Sequence, residues 1–513
     1  MAITIKSFAL DGVDSYVVHV EVNTNFGQPG ISIIGMADKA INEAAERIKA
    51  SLVSGGFEYP ESRIVINLAP SSKKKYGTHF DLAMAIGLLV QTDQLSDKAA
   101  KHYGFIGELS LNGDIRGVKG VLPMVIEAKR QGIEYLIVPI ENMKEAMLVK
   151  EIHILCFDDL KKTTTFLEGK VAYELPTIRE TKEPAEILYA NDFSDVKGQR
   201  QIIRNTVVAA AGGHNMLLIG EPGCGKSMIA SRIPTILPPM KEEEALEVTK
   251  IQSIVGLNED YNQLVLARPF RAPHRNASLN ALIGGGIAAL PGEISLAHNG
   301  VLFLDEMIEF DRKTLEALRQ PLEDKKVTIT RVNYTNTFPA NFMLVAAVNP
   351  CPCGFYNHPE KECVCGAGAV KKYLNKISGP LMDRIDLHVE VTPVSYDELA
   401  ITKSQAETSK MIRERVIRAR EIQQLRYVST PEIHNNSQMP ANQVRNICVL
   451  DSAGNLLVKK AMEKLQLSAR AYDRILKVAR TLADLSGDEK IGLEHLSEAI
   501  HFRSLDRANW ASQ

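Results

Sequence analysis

The residues best suited to chemistry lie in Gly220-Glu-Pro-Gly-Cys-Gly-Lys226-Ser227. An apolar run, Met216-Leu-Leu-Ile219, precedes them and Met228-Ile-Ala-Ser-Arg-Ile233 follows, so the glycines fall between a predicted strand and a predicted helix. Glycines let backbone N–H groups curl around an oxyanion, and a helix N-terminus adds partial positive charge. Gly220, Glu221, Pro222, Gly223, Cys224, Gly225, Lys226 and Ser227 thus predict a phosphate-binding loop. Lys226 would reach the β- and γ-phosphates of ATP while Ser227 ligates Mg²⁺, and Cys224 reads as a small filler. Val301-Leu-Phe-Leu-Asp305-Glu306 reads as a buried parallel strand ending in two carboxylates. Asp305 suits the Mg²⁺ shell and Glu306 the polarising of an attacking water. Phe342-Met-Leu-Val-Ala-Ala-Val-Asn349 is a further core strand, ending in a side chain able to sense a γ-phosphate. Together these stretches predict ATP hydrolysis.

Two other groups of residues invite a reading. Cys351-Pro-Cys353 and Cys363-Val-Cys365 offer four thiolates, either a tetrahedral Zn²⁺ site or thiols of a plain surface loop. The pairs are spaced more tightly than common zinc ligands. Lys325, Lys326 and Arg331 fall on a predicted hairpin between Glu306 and Asn349, and Arg268, Arg271 and Arg275 cluster upstream. Lys325, Lys326, Arg331, Arg271 and Arg275 could grip nucleic-acid phosphates, or form solvated edges.

These groups need scaffolding, and 513 residues predict about three domains. Hydrophobic content of 45% and charged content of 24% are those of a soluble globular chain. The net charge of −2 rules out a global polycation, so any nucleic-acid contact must be local. Seven cysteines argue for a reducing compartment, the first residues lack a signal-peptide layout, and the apolar run near 82–90 is too short for a bilayer. The expected location is the cytoplasm, without a membrane partner.

In chain order, residues 1–170 read as an α/β domain. It has strands at 17–22, 63–68 and 135–139, helices at 38–53 and 81–90, and a hairpin at 107–113. Residues 171–191 are charged and proline-punctuated, a linker. Residues 192–394 hold the phosphate loop and its carboxylates. Lys226 and Asp305 are 79 positions apart, more than one helix and strand need, and the surplus, 252–298, reads as a functional insertion. Helix is expected at 310–323. Residues 395–513 read as helical, with long helices at 401–426, 456–485 and 493–502, and Trp510 as a packing anchor. Cys156 and Cys448 look like core residues.

Residues 1–170 resemble the proteolytic domain of Lon proteases, of the ribosomal-protein-S5-like group. The nucleophile position falls on His79 and the dyad lysine position on Leu122, within Gly120-Val-Leu-Pro-Met124, so the resemblance does not imply proteolysis. Asp192-Phe-Ser-Asp-Val-Lys-Gly198-Gln199 resembles the entry to an AAA+ module, whose Val196–Gln199 turn would lie beside adenine. With the insertion, the hairpin and Ser378-Gly-Pro-Leu-Met-Asp383-Arg384-Ile-Asp386, the whole chain resembles the YifB/ComM family of AAA+ ATPases, related to the magnesium-chelatase ATPase subunit and MCM helicases. One departure is His274-Arg275, where a His-His pair is expected. The resemblance implies an α/β fold with a Lon/S5-like front, a parallel-sheet ATPase core and a helical lid. It also implies an arginine finger at Arg384 acting on a neighbouring subunit; the alternative is a surface ion pair to Asp383 or Asp386. A second sensor is implied at Arg470, with Arg474 in reserve. Further implications are a homo-oligomer, expected to be a hexamer, and branch migration or helicase action on single-stranded or branched DNA. A chelatase motor and a protein-remodelling ATPase stand as alternatives.

Overall fold

The computed structural model describes residues 2–173, 189–257, 264–286, 289–331, 334–356, 358, 361–393, 407–465 and 467–503. Most of the expected linker, the start of the 401–426 helix and Trp510 lie outside the described residues.

The first layer is a seven-stranded mixed sheet. Its strands are β1 (Ile3–Asp11), β2 (Asp14–Asn25), β3 (Gly30–Ile34), β4 (Arg63–Ala69), β5 (Tyr103–Phe105), β8 (Tyr135–Pro139) and β9 (His153–Phe157), in the order β3-β4-β2-β1-β5-β8-β9. Short strands β6 (Glu108–Leu109) and β7 (Ile115–Arg116) make the expected hairpin. Against one face packs the helix Asp81–Gln91, so apolar throughout that all of it from Asp81 to Val90 is buried. The expected 38–53 helix is two pieces, Lys39–Asn42 and Ala44–Ser54, the first capped by the Asp38 side chain on the Ile41 N–H.

The second layer is a five-stranded parallel sheet. It comprises β10 (Met216–Gly220), β11 (Phe270–Arg271), β14 (Val301–Leu304), β17 (Met343–Val348) and β18 (Leu387–Val391), ordered β11-β14-β17-β10-β18. Its three inner strands are buried at every position, which is why they read as continuous apolar runs rather than alternating ones. Because the strands are parallel, their carboxyl ends share one edge, and ligands of open α/β sheets bind at that edge. The register sets Ile219 beside Val348 and Leu304 beside Ala346. Gly220, Asp305 and Asn349 therefore leave the sheet side by side.

Between β11 and β14 the chain makes the helices Leu279–Ile283 and Glu293–Leu296 around a two-stranded ribbon, β12 (Gly284–Gly285) with β13 (Leu290–Pro291). A second ribbon follows, β15 (Lys326–Arg331) with β16 (Tyr334–Pro339), whose Val327, Ile329 and Phe338 face the core while Lys326, Thr328 and Thr330 face outward. The helix expected at 310–323 is broken into Arg312–Glu316 and Arg319–Asp324. Pro321 is tolerated in the first turn of the second piece, but its ring bars the 317 carbonyl from continuing the first.

The C-terminal helices, Ser409–Arg426, Ala441–Ile447, Ser452–Leu465, Ala469–Ser486 and Leu493–His501, pack as the lid against the helix Arg200–Gly212. The run expected at 456–485 is interrupted because Ser468 caps a new helix, accepting from the Ala471 N–H. Cys156 and Cys448 are buried as expected, and burial pushes both thiols up to about 12. Among the described residues, no helix is long and apolar enough to cross a membrane.

Candidate active site

The loop after β10 is shaped by Gly223 and Gly225, at φ 85° and 91°, conformations a side chain would strain. It delivers Lys226 to the first turn of the helix Lys226–Ile236. The Lys226 ammonium donates to the carbonyls of Gly220 (2.7 Å) and Glu221 (2.9 Å) and to Asn349 Oδ1 (3.2 Å), with Cys224 Sγ a weaker acceptor at 3.8 Å. Lys226 and Asn349, 123 positions apart in sequence, thus meet. Ser227 Oγ donates to Asp305 Oδ2 at 2.8 Å. Two hard oxygens side by side fit Mg²⁺, which takes few protein ligands. Cys224 is a buried thiol raised by burial, the inert filler expected.

Glu306 sits at φ 48°, rare for a side-chain-bearing residue, with its N–H on Asp305 Oδ1 at 3.0 Å. Such outliers cluster at functional sites. Its carboxylate is ion-paired with Arg275. That pair joins the position departing from the His-His pattern to the second carboxylate after β14. Arg275, Glu306, Glu309, Asn349, Tyr373 and Lys376 line a cleft of about 500 Å³. Burial, with Glu309 alongside, pushes the Tyr373 hydroxyl up to about 12, leaving it a neutral donor. A second cleft, of about 380 Å³ between core and lid, includes none of the phosphate loop or the two carboxylates in its lining.

Gln199, at φ 52°, donates to the carbonyls of Cys224 (2.8 Å) and Thr392 (3.2 Å), so the Val196–Gln199 turn is tied to the phosphate loop. Arg232, from the loop's own helix, holds the same entry segment through the Asp192 carbonyl (2.8 Å) and Asp195 Oδ2 (2.9 Å). Arg232 was not distinguishable in sequence from ordinary polar residues, because its partners lie on another element.

Several basic residues are placed otherwise than expected. Lys325 is not on the hairpin: it closes the helix Arg319–Asp324 in the left-handed region, at φ 55°, and its ammonium turns inward toward Asp386, Arg474 and Lys477. Burial pushes it down to about 8. Lys326 begins β15 and is exposed; Arg331 ends it. Arg271 is held by Glu293 through two bonds of 2.6 and 2.7 Å, and Arg268 by Glu244 at 3.0 Å. Neither is a free phosphate contact in this conformation.

Arg384 is buried, and its partner is Glu323 (2.5 Å) rather than Asp383 or Asp386. Asp386 is instead enclosed by Arg474, by His214 Nδ1 at 3.1 Å and by the Asn215 N–H at 3.3 Å. Burial opposes its ionisation, but Arg474, His214 and Lys477 outweigh burial and hold the carboxyl far below the usual range. The two sensor candidates therefore separate: Arg474 is tied back to Asp386, while Arg470 is exposed at the start of the same helix. His79 and Leu122 are both buried core positions, with His79 tilted on the Phe80 ring at 4.1 Å.

A glycine-rich loop, adjacent acidic and polar strand ends on a parallel sheet, and a helical lid define a nucleotide-binding AAA+ module of the magnesium-chelatase type. Matches to family descriptions agree: "Magnesium chelatase, subunit ChlI" over 192–399, "Subunit ChlI of Mg-chelatase" over 20–142 and "Magnesium chelatase, subunit ChlI C-terminal" over 406–503. Competence protein ComM of Haemophilus influenzae is 41% identical over 507 residues, 98% of this chain and 97% of that protein. The uncharacterised protein YifB of Escherichia coli K12 is 41% identical over 496 residues, 97% of this chain and 96% of its own. The chain belongs to this ComM/YifB family of magnesium-chelatase-like AAA+ ATPases. Likeness to Lon is partial: the Lon protease of Trichlorobacter lovleyi is 25% identical over 148 residues, 28% of this chain and 18% of that protein.

Proposed function

We propose that the chain is a ring-forming ATP hydrolase acting on DNA, a branch-migration helicase of the ComM type that assembles as a hexamer. The carrying observation is the place of the β15–β16 ribbon. It stands between the strand that ends in Asp305-Glu306 and the strand that ends in Asn349, so both ends of the hydrolytic site flank it. Its outward face presents Lys326, Thr328 and Thr330, with Arg331 at the end of the strand. Basic groups there would meet phosphates rather than bases, giving sequence-tolerant binding weakened by salt. Likeness to a competence protein supports a DNA role. The partial Lon likeness favours a second reading, remodelling of protein.

In the proposed reaction Lys226 neutralises the β- and γ-phosphates, and Ser227 and Asp305 hold Mg²⁺, which supplies charge stabilisation when bound. Glu306, released from Arg275, would polarise the attacking water, with Asn349 sensing the γ-phosphate. Arg384, freed from Glu323, would serve the neighbouring subunit, and Arg470 would report nucleotide state to the lid. A Zn²⁺ at Cys351, Cys353, Cys363 and Cys365 is the further cofactor of this reading. A forked DNA titrated across a salt series tests the ribbon. Lys326→Ala with Arg331→Ala should weaken binding and flatten the salt slope by about two contacts, with basal ATPase kept. Unchanged affinity and slope would remove the ribbon from the DNA path and favour protein remodelling.

A further inference from the structure

Two residues beyond Asn349 the chain enters a loop in which all four cysteines converge. The Sγ atoms of Cys351, Cys353 and Cys363 lie 3.3, 3.6 and 3.7 Å apart, and Cys365 completes a group within 4.8 Å. A tetrahedral Zn²⁺ with bonds of ~2.3 Å sets its sulfurs ~3.8 Å apart, so the thiols stand at the separations one ion requires. None is in a disulfide, and Cys351 is buried with the others half-buried. An ion here would cross-link the loop's two ends, one leaving β17 and the other entering the helix Ala367–Leu374.

The loop so closed presses on the phosphate loop at two points. Gly354, at φ 87°, lies so close that an added Cβ would come within 2.6 Å of Pro222 Cδ. His358 Nε2 is 3.0 Å from Glu221 Oε2, and Lys361 Nζ is 3.5 Å from the same oxygen. The His358 and Glu221 side chains are only 7% and 11% exposed, so this contact is largely shielded from water. The Glu221 carbonyl is in turn one of the groups that position the Lys226 ammonium. Whatever fixes Glu221 fixes the phosphate-binding lysine.

We infer that Cys351, Cys353, Cys363 and Cys365 hold one Zn²⁺ that keeps Gly354 and His358 seated on the phosphate loop, making nucleotide affinity dependent on the metal. This rests on the zinc reading above and is independent of DNA. The cysteines and His358 are positioning residues; the nucleotide is touched by the loop they support.

The test uses the full chain, measuring metal content, fluorescent ATP-analogue binding and steady-state ATPase. About one zinc per chain is expected, and Co²⁺ exchange should give the sulfur-to-metal charge-transfer band and visible bands of a tetrahedral thiolate site. Metal removal by chelator should raise the nucleotide Kd about tenfold, ~1.4 kcal/mol, reversibly on adding Zn²⁺, with circular dichroism unchanged. His358→Ala should keep the zinc and weaken binding similarly, raising KM while kcat at saturating ATP stays. Cys363→Ser with Cys365→Ser should lose the metal and resist rescue; should it fail to fold, the chelated wild type and His358→Ala decide. Wild type without zinc and without the cobalt bands would overturn the metal site itself. Zinc-loaded protein whose Kd ignores both chelation and His358→Ala would leave the metal in place and overturn its link to the phosphate loop.

Discussion

At the scale of single residues, burial determines which side chains remain chemically available. At His79, where the Lon-like pattern would put a nucleophile, burial lowers the imidazole to about 4 against an opposing pull from the Phe8 backbone. The unfolded chain would titrate near 6.5. Between those values it binds a proton that the folded chain refuses, so stability rises with pH through this window and is lost as pH falls through it. The effect is on the order of 3 kcal/mol at most. His79→Leu should therefore flatten the pH dependence of the apparent unfolding midpoint between about pH 6.5 and 4 relative to wild type. Parallel curves for the two proteins would contradict a buried neutral imidazole at this position. Glu306 shows the opposite case, exposed and held by Arg275. No sequence signal announces that pair, because its members lie 31 positions apart across the insertion.

Among elements, the helix Ala469–Ser486 carries two arginines one turn apart with different surroundings. Arg474 balances a carboxylate that is 5% exposed, whereas Arg470 faces solvent. Arg474→Ala leaves Asp386 buried with one fewer cation and should cost about 3 kcal/mol in denaturant unfolding. Arg470→Ala should leave stability within about 0.5 kcal/mol and lower ATP turnover instead. Equal loss of stability in both variants would contradict the separation. The sequence made the phosphate loop, the two carboxylates and Asn349 legible, because each is a local pattern at the end of an apolar strand. The lid helices were legible from their apolar spacing, apart from the new start at Ser468. The reach of Lys325 was not, since a left-handed turn at the end of a helix reverses a side chain without changing the basic pattern around it. The break before Arg319 was signalled by Pro321, which an uninterrupted helical reading of 310–323 passed over. Glu323 as the partner of Arg384 depends on tertiary packing alone.

At the scale of the whole molecule, the front layer is joined to the ATPase core by specific bonds. The Gly120 N–H donates to the Ser253 carbonyl at 3.1 Å, Lys119 Nζ reaches the Val255 carbonyl at 3.0 Å, and Glu145 takes the Leu122 N–H at 3.0 Å while also binding Ser253. The stretch that would carry a protease lysine is thus a docking surface onto the helix Glu242–Val255, which leads into the insertion. In the proposed ring a neighbouring subunit would complete the site. Arg384 acting in trans predicts that Arg384→Ala subunits mixed with Lys226→Ala subunits regain part of the ATPase activity, since some mixed interfaces contain one intact site. A co-assembled mixture as inactive as either parent would contradict that role.

If DNA drives an ATPase cycle at this site, steady-state hydrolysis with no DNA, single-stranded, duplex or forked DNA shows it most directly. The wild type should be stimulated most by forked or single-stranded DNA. Glu306→Gln should bind ATP and DNA yet turn over in none of the conditions, because only the water-polarising carboxylate is lost. A wild-type rate indifferent to every DNA, or a Glu306→Gln protein hydrolysing at the wild-type rate, would contradict the account.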